Sequence, residues 1–394
     1  MQATNPTGAL VIGGDHPGLG IARSLGRRGI PVYVLEDQLS VSQFSRYVTK
    51  VIRVHSIRDE RMTVDAVLEV GRQFGLHGWV LFPTRDEHVA AFSRYRKDLM
   101  EIYRVTTPEW ETTKWAWDKK NSYELAEKLG IPTPRTWNVH STEQLRPLYS
   151  HLPLAIKPAI KENFFYATQA KAWRADNPEQ LRQLFEKAAA QIKTEEILIQ
   201  EIIPGSGEQQ YSYCAFWKDG HAHSSLVARR LRQHPREFGR AATYVETIEM
   251  SIVEELSERF LRNIDYYGLV EIEFKHDLRD GCFKLLDVNA RTWGFHSIGL
   301  AAGVDFAYLL YADQLGVRTE RCRSKVGIGW LRLITDVPTA LSDFVTGHLS
   351  FRAYRQSLKN TRAEAVFSTD DPLPSMSEIV LLPYLALKKY SRAF

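Results

Sequence analysis

Along the first hundred positions, apolar residues gather in short runs: ALVIGG from Ala9, PVYVLE from Pro31, KVIRVH from Lys50 and GWVLFPT from Gly78. Between them lie stretches with helical character, from Gly18 to Gly29, from about Asp59 to Phe74 and from Asp86 onward. Buried strands alternating with covering helices are the rhythm of a parallel α/β sheet. The boundary falls in TPEWETTKWAWDKK, between Thr107 and Lys120. A helix follows to Leu129, with Gly130 placed as its C-cap and Pro132 and Pro134 starting an extended strand. Beyond it the spacing predicts a strand at PLAIKP (Pro153 to Pro158), a loop with Asn163 to Tyr166, a strand in TQAKAWR, a helix from Asn177 and strands in EEILIQEIIPGSGEQQYSYCAFW.

The most informative pattern runs from Leu269 to Gly294. LVEIEFKHD and FKLLDVNARTWG alternate apolar and polar residues with period 2, and Leu278-Arg279-Asp280-Gly281 between them is a hairpin signal. Paired as a hairpin, these strands bring Glu273, Asp287, Asn289 and Arg291 onto one face. Three hard oxygen donors suit Mg²⁺, which prefers a few carboxylates plus substrate phosphates to a closed protein cage. The arginine adds a charge clamp for a phosphoryl group in transfer.

Charge and cysteine content narrow the class. With 394 residues the chain has room for two or three domains. A balance of 51 basic against 47 acidic residues, net +4, is too mild for nucleic-acid binding, so small-molecule chemistry is expected. Cys214, Cys282 and Cys322 form no CxxC pair and suit a reducing cytoplasm. No signal-peptide pattern opens the chain, and no apolar run reaches the roughly 18 residues needed to span a bilayer.

Gly13-Gly14-Asp15-His16-Pro17-Gly18-Leu19-Gly20 is a loose version of a dinucleotide fingerprint, with Glu36 and Asp37 where a ribose-binding acid would stand. Its glycine spacing and Pro17 favour a tight strand-to-helix turn packed close to the sheet. Lys157 and Lys171 are isolated lysines in successive strands; such residues ordinarily snorkel to the surface, but Lys157, inside an apolar run, is expected to point into a cleft and meet phosphate. His221 and His223 follow the turn Asp219-Gly220 without further ligands nearby, which argues against a metal there. The tryptophans read as core or cleft lining, and only Trp293 is placed to touch a substrate. At the C-terminus, SEIVLLPYLALKKYSRAF has an apolar face ending in Lys388, Lys389 and Arg392; a packed helix is expected, and a membrane-surface helix is the weaker alternative because the segment is short and carries Pro383.

Taken in order, Asp118-Lys119, LGIPTP, Lys157 in AIKP, Glu201 in LIQEIIPG, Glu208, and the set Glu273, Asp287, Asn289 and Arg291 resemble the series found in ATP-grasp ligases. The resemblance covers about residues 9 to 317. The phrases RRLRQHPREFGRAATYVET, YYGLVEIEFK and LLDVNARTWG look most like the carboxylate-amine ligase branch that includes D-aspartate ligase. It implies a mixed α/β and α+β chain: a Rossmann-like pre-ATP-grasp domain at 1–110, ATP-grasp subdomains at 111–200 and 201–322, and an extension at 323–394.

By the same resemblance, Lys119 and Lys157 contact ATP phosphates, Glu201 opens the hinge strand at the adenine edge, and Ile202 and Ile203 supply backbone hydrogen bonds and apolar cover. Glu208 is similar to the glutamate on the ribose hydroxyls. Glu273, Asp287 and Asn289 resemble the Mg²⁺ ligands, two ions with Mn²⁺ as a substitute, and Arg291 the arginine near the γ-phosphate. The family usually has Glu where this chain has Asp287, a shorter arm with the same acidic oxygen. Between Arg229 and Arg240, Arg229, Arg230, Arg232, Arg236 and Arg240 surround His234 and Pro235. An arginine run is ordinarily a solvated loop, but its place between these strands predicts that Arg229 or Arg230 grips the carboxylate or acyl phosphate. The turn Pro204-Gly205-Ser206-Gly207 and the loop from Ala159 to Tyr166 are expected lids.

The expected activity is therefore an ADP-forming ligase joining a small carboxylate to an amine through an acyl phosphate, in the cytoplasm, with a homodimer among its expected assemblies. The rivals are a carboxylase-type relative using bicarbonate, a nucleotide-binding regulatory protein without turnover and, a distant third, a nicotinamide dehydrogenase resting on the glycine turn alone.

Overall fold

In a computed structural model, residues 7–168, 170–239 and 241–390 are described, with the side chains of Asn163 and of residues 383–390 left out. Arg240 and Arg392, and the side chains of Lys388 and Lys389, thus lie outside the description.

Five short strands, β1 (Ala9–Ile12), β2 (Val32–Glu36), β3 (Lys50–Arg53), β4 (Val80–Pro83) and β5 (Arg104–Val105), form a parallel sheet in the order β3-β2-β1-β4-β5. Helices His16–Gly26 and Glu60–Phe74 provide crossovers, the second capped by Asp59, whose side chain accepts from Met62 N at 2.8 Å. Strand order reverses between β1 and β4, and a crevice opens there beyond the carboxyl ends of the strands. The glycine turn after β1 is explained by packing: a Cβ on Gly18 would stand 2.1 Å from the carbonyl of Gly13, and one on Gly13 2.3 Å from Thr84 Oγ1. Glu36, the expected ribose acid, accepts from Gly14 N instead.

Strands β6 (Thr136–Asn138), β7 (Leu154–Pro158), β8 (Trp173–Ala175) and β9 (Ile197–Glu201) make a four-stranded antiparallel sheet in the order β6-β9-β7-β8, covered by helix Pro178–Ala189. Two expectations are corrected here. The loop expected from Ala159 to Tyr166 is mostly the helix Lys161–Thr168, because Phe164 buries completely in this sheet's core and anchors one face of the turn. Lys171 precedes β8 rather than lying in a strand.

The large sheet contains β10 (Gln210–Lys218), β11 (His221–His234), β12 (Ala241–Ile248), β13 (Gly268–Asp277), β14 (Cys282–Asn289), β15 (Cys322–Arg323), β16 (Gly329–Leu331) and β17 (Thr361–Glu364). Period-2 alternation gives it two cores. Tyr211, Tyr213, Ala215 and Trp217 face helix Ser251–Asn263, whereas Cys214 and Phe216 face the N-terminal domain. Toward the other end of the same strands, the second face turns polar, at Ser212 and Gln210 of β10 and at Glu271 and Glu273 of β13. Trp293 is wholly buried with its ring 4.9 Å from Phe306, which corrects the expectation that it meets substrate.

Candidate active site

The hairpin register decides the chemistry. Glu273 stands opposite Asp287 and Glu271 opposite Asn289, so four oxygen-bearing side chains share one face of β13 and β14. The register shifts just after Glu273, leaving Leu286 as the extra residue of a bulge, its carbonyl accepting from Tyr123 Oη at 3.0 Å. Bulges re-aim side chains, and this one sits beside Asp287.

Cations neutralise the cluster from every side. Lys119 Nζ donates to Asp287 Oδ1 at 2.7 Å, and Arg230 Nη2 donates to Glu273 Oε2 at 3.1 Å. Asn289 Nδ2 donates to Glu271 Oε2 and Glu273 Oε1, both at 3.2 Å. Arg291 holds Asp86, at the start of helix Asp86–Arg94, through Nε at 2.6 Å and Nη2 at 3.1 Å, and Lys161 pairs with the same carboxylate. Burial pushes the Glu273 and Asp287 carboxyls up, but Arg230 beside the first and Lys119 beside the second win and hold both below their usual range. Glu271 lacks such a partner, and burial with Glu273 next to it raises it to about 7. Burial likewise lowers Lys171 to about 8, against the pull of Glu273.

Two cavities meet at this cluster. One, about 460 Å³, lies between the two antiparallel sheets and is lined by Lys157, Gln200, Glu201, Ile202, Ile203 and Lys275, among others. The second, about 550 Å³, opens at the strand-order reversal of the parallel sheet and is lined by Asp15, Arg58, Arg85, Asp86, Asn289 and Arg291, among others. Lys161, Lys171, Arg230, Glu273 and Asp287 line both. Each volume lies in the range of small-molecule sites.

Most of the residues singled out in the sequence are gathered here: Lys119, Lys157, Glu201, Ile202, Ile203, Arg230, Glu273 and Asp287 on the first cavity, Asn289 and Arg291 on the second. Glu201 is held by Lys284 Nζ at 3.1 Å and Arg279 Nη2 at 2.9 Å, and the Ile203 carbonyl by Lys275 Nζ at 2.8 Å. Glu208 and Arg229 line neither cavity: Glu208 is exposed, and its carbonyl accepts from Arg229 Nε at 2.8 Å. Alternation along β11 sends neighbours to opposite faces, so Arg230 points into the cleft and Arg229 toward Tyr211 on the other side. Arg232 is a buried structural residue, with Nε and Nη2 on the Asp336 carboxylate at 2.8 and 2.9 Å. His223 meets Thr319, and His221 meets Arg321.

Sequence reasoning missed Asp15, Arg58, Arg85, Asp86 and Lys161. A signal was available for Asp15, Arg85 and Asp86, which follow β1 and β4 at the carboxyl edge of a parallel sheet, where ligands bind. Among the described residues the Arg85 guanidinium makes no hydrogen bond; carboxylates near it are Glu36 at 3.7 Å and Asp15 at 3.9 Å. Arg58 stacks 4.7 Å over Tyr166, and its buried Nε has no hydrogen-bond partner.

The donor set suits a hard divalent cation: two carboxylates and the Asn289 amide share one sheet face, the amide turning its Oδ1 to Arg291, with Lys119 and Arg230 balancing the carboxylates. Among the described residues no group of three His, Cys, Asp or Glu side chains is positioned to hold a metal, so such an ion would depend on Asn289 and on ligand oxygens.

Comparison with solved structures matches this architecture. The biotin carboxylase domain of 2-oxoglutarate carboxylase from Hydrogenobacter thermophilus, solved with MgADP, ADP and bicarbonate, superposes with a TM-score of 0.64 at 13% identity, over 83% of this chain and 74% of that one. L-amino acid ligase from Bacillus licheniformis gives 0.61 at 16% identity, over 79% and 75%. N5-carboxyaminoimidazole synthetase from Staphylococcus aureus gives 0.62 at 12% identity, over 82% and 81%. The chain therefore has the ATP-grasp fold, with a parallel α/β domain ahead of two antiparallel sheets. Among curated proteins it is a homologue of D-aspartate ligase from Enterococcus faecium (strain Aus0004), 21% identical over 324 residues, 78% of this chain and 76% of that protein. No family model matches the chain.

Proposed function

We propose that this chain is an ATP-dependent ligase that joins a carboxylate to an amine through an acyl phosphate, releasing ADP and phosphate. The observation that carries the reading is the junction of two cavities at Glu273 and Asp287, ringed by Lys119, Lys161, Lys171 and Arg230. In this reading ATP occupies the first cavity, its adenine beside Ile202 and Ile203 and its phosphates near Lys119, Lys157 and Lys171. Glu201, the last residue of β9 rather than the opening of a hinge strand, braces the segment that follows it through its ion pairs. Glu273, Asp287 and Asn289 hold Mg²⁺, two ions with Mn²⁺ as a substitute, which would supply charge neutralisation between anionic reactants. Arg291 and Arg230 face the transferring phosphoryl group from the second cavity.

The chemistry balances. A carboxylate oxygen takes the γ-phosphoryl group as the bond to the β-γ bridging oxygen breaks. The amine nitrogen then bonds to the acyl carbon, loses a proton, and phosphate departs with the C–O electron pair. Crowding two anions together is the electrostatic obstacle, and the cationic ring lowers it. In the second cavity, arginines with unmade hydrogen bonds stand near carboxylates such as Asp15, whose buried Oδ1 also lacks a partner. Such a pairing suits a zwitterion, so an amino acid is the substrate class this reading favours, in keeping with the names of D-aspartate ligase and L-amino acid ligase. The domain limits 1–110, 111–200, 201–322 and 323–394 belong to the same reading. So does a cytoplasmic setting, which the three free cysteines support.

The test is a hydroxylamine trap with MgATP and a panel of amino acids, other small carboxylates and bicarbonate. Hydroxamate together with ADP, dependent on one carboxylate, is the expected result. ADP release with bicarbonate alone would favour the carboxylase-type reading, and MgATP binding with no turnover across the panel would overturn the ligase.

A further inference from the structure

The C-terminal extension reaches the second cavity through Trp330, yet it carries most of the large exposed apolar side chains among the described residues. Of the twenty large apolar side chains that stand out into solvent among the described residues, twelve lie between Leu333 and Leu382. Their arrangement is orderly. Leu333, Val337, Leu341 and Val345 recur every four residues along helix Leu333–Val345 and are 43, 42, 59 and 89% exposed. They form a stripe about 18 Å long on one side. The opposite, buried side carries Asp336, Thr339 and Ala340, with Asp336 gripping Arg232 of the large sheet. Amphipathicity is thus inverted: polar anchors face the protein and aliphatic side chains face out.

The last helix, Leu373–Tyr390, repeats the inversion. Glu378 is buried and accepts from Arg332 Nη2 at 2.9 Å, while Met376, Ile379 and Val380 are 61, 66 and 76% exposed. Arg332 immediately precedes the first helix, so this one bond ties the two striped helices together.

The charge beside them is one-sided. No Asp or Glu occurs from Phe344 to Ala363. Helix Phe351–Asn360 exposes Arg352, Arg355 and Lys359 on one side, and Arg362 follows; none of the four pairs with a carboxylate among the described residues. Other exposed arginines of this chain do pair, as in Arg61–Asp65 and Arg182–Glu186. The sequence adds Lys388, Lys389 and Arg392 at the end.

An apolar face of this extent marks an interaction surface. A second copy seated on it would set this unpaired cationic helix against its own image across a two-fold contact, which electrostatics oppose. An anionic lipid surface complements both features at once: its acyl boundary receives the aliphatic stripe and its headgroups the cations. We propose that the Leu333–Leu382 face docks this protein peripherally on an anionic membrane. No helix among the described residues is long and apolar enough to cross a membrane, so the contact is with the surface.

The test is co-sedimentation of the full chain with vesicles of phosphatidylcholine alone or mixed with phosphatidylserine, at low and high salt. Binding to the mixed vesicles, weakened by salt, is expected. R352Q/R355Q/K359Q should lower partitioning about 100-fold, three cations at about fivefold each. V337S/L341S/V345S should also lose binding, with MgATP affinity unchanged in both variants as the check on folding. Absence of binding to mixed vesicles, or variants that bind as well as the parent, would overturn the proposal. So would a parent dimer, seen by light scattering, that V337S/L341S/V345S converts to monomer while no vesicle binds, since that would make the face an interface between copies.

Discussion

Arg291→Ala separates catalysis from architecture, because Arg291 is tied to two quite different partners. It forms a two-point ion pair with half-buried Asp86 and also donates to Asn289 Oδ1 at 3.2 Å. Truncation removes a positive charge proposed to face the phosphoryl group, which should lower turnover by about 10²-fold, or about 2.7 kcal/mol. It also leaves Asp86 without its main partner. Breaking a fully buried pair costs about 3–5 kcal/mol; this one is half-buried and Lys161 stays on the same carboxylate, so about 2 kcal/mol is expected. Denaturant unfolding and ADP release measure the two losses independently. The double variant D86A/R291A removes the stranded carboxylate and should recover most of the stability while turnover stays low. Recovery of turnover in the double variant would refute the reasoning, because Arg291 would then serve only to neutralise Asp86. An unchanged rate in Arg291→Ala alone would do the same.

Three further outcomes are expected. Lys157→Met should weaken MgATP binding about 10- to 100-fold by isothermal titration: among the described residues Lys157 Nζ hydrogen-bonds only Tyr123 Oη, at 2.6 Å, and it faces the first cavity, so a charge-assisted bond to phosphate is lost. Affinity for MgATP should decline as pH rises through about 8, where burial places the Lys171 ammonium, since losing its proton removes a positive charge from both cavities; a Lys171→Met variant that keeps the same pH profile would exclude this origin. Asp371→Ala should destabilise the fold by about 3 kcal/mol in denaturant unfolding, because the buried Asp371 carboxylate accepts from Arg23 Nε at 2.9 Å, Ser45 Oγ at 2.6 Å and Arg46 N at 3.0 Å, and its loss strands Arg23.

What the sequence determined by itself was local and periodic. The alternation of Glu273, of Asp287 and of Asn289 with apolar neighbours, together with a hairpin turn, was enough to gather the oxygen cluster, because side chains two apart on a strand must share a face. The strand and helix rhythm before Thr107 likewise gave the parallel domain, since each crossover forces the next strand to run the same way. Alternation could even have separated Arg230 from Arg229, but which of the two faces the cleft depends on the sheets packed around β11. Partners distant in sequence were beyond such reading: Asp86 meets Arg291 across 205 positions, and Lys119 meets Asp287 across 168. Nor did local pattern reveal the helix Lys161–Thr168, whose aromatic run reads as a loop until Phe164 finds the core of the four-stranded sheet. Composition fixes which faces must be buried or paired, but the register of distant elements decides which charge meets which, and here that register sets the two cavities against one metal-suited strand pair.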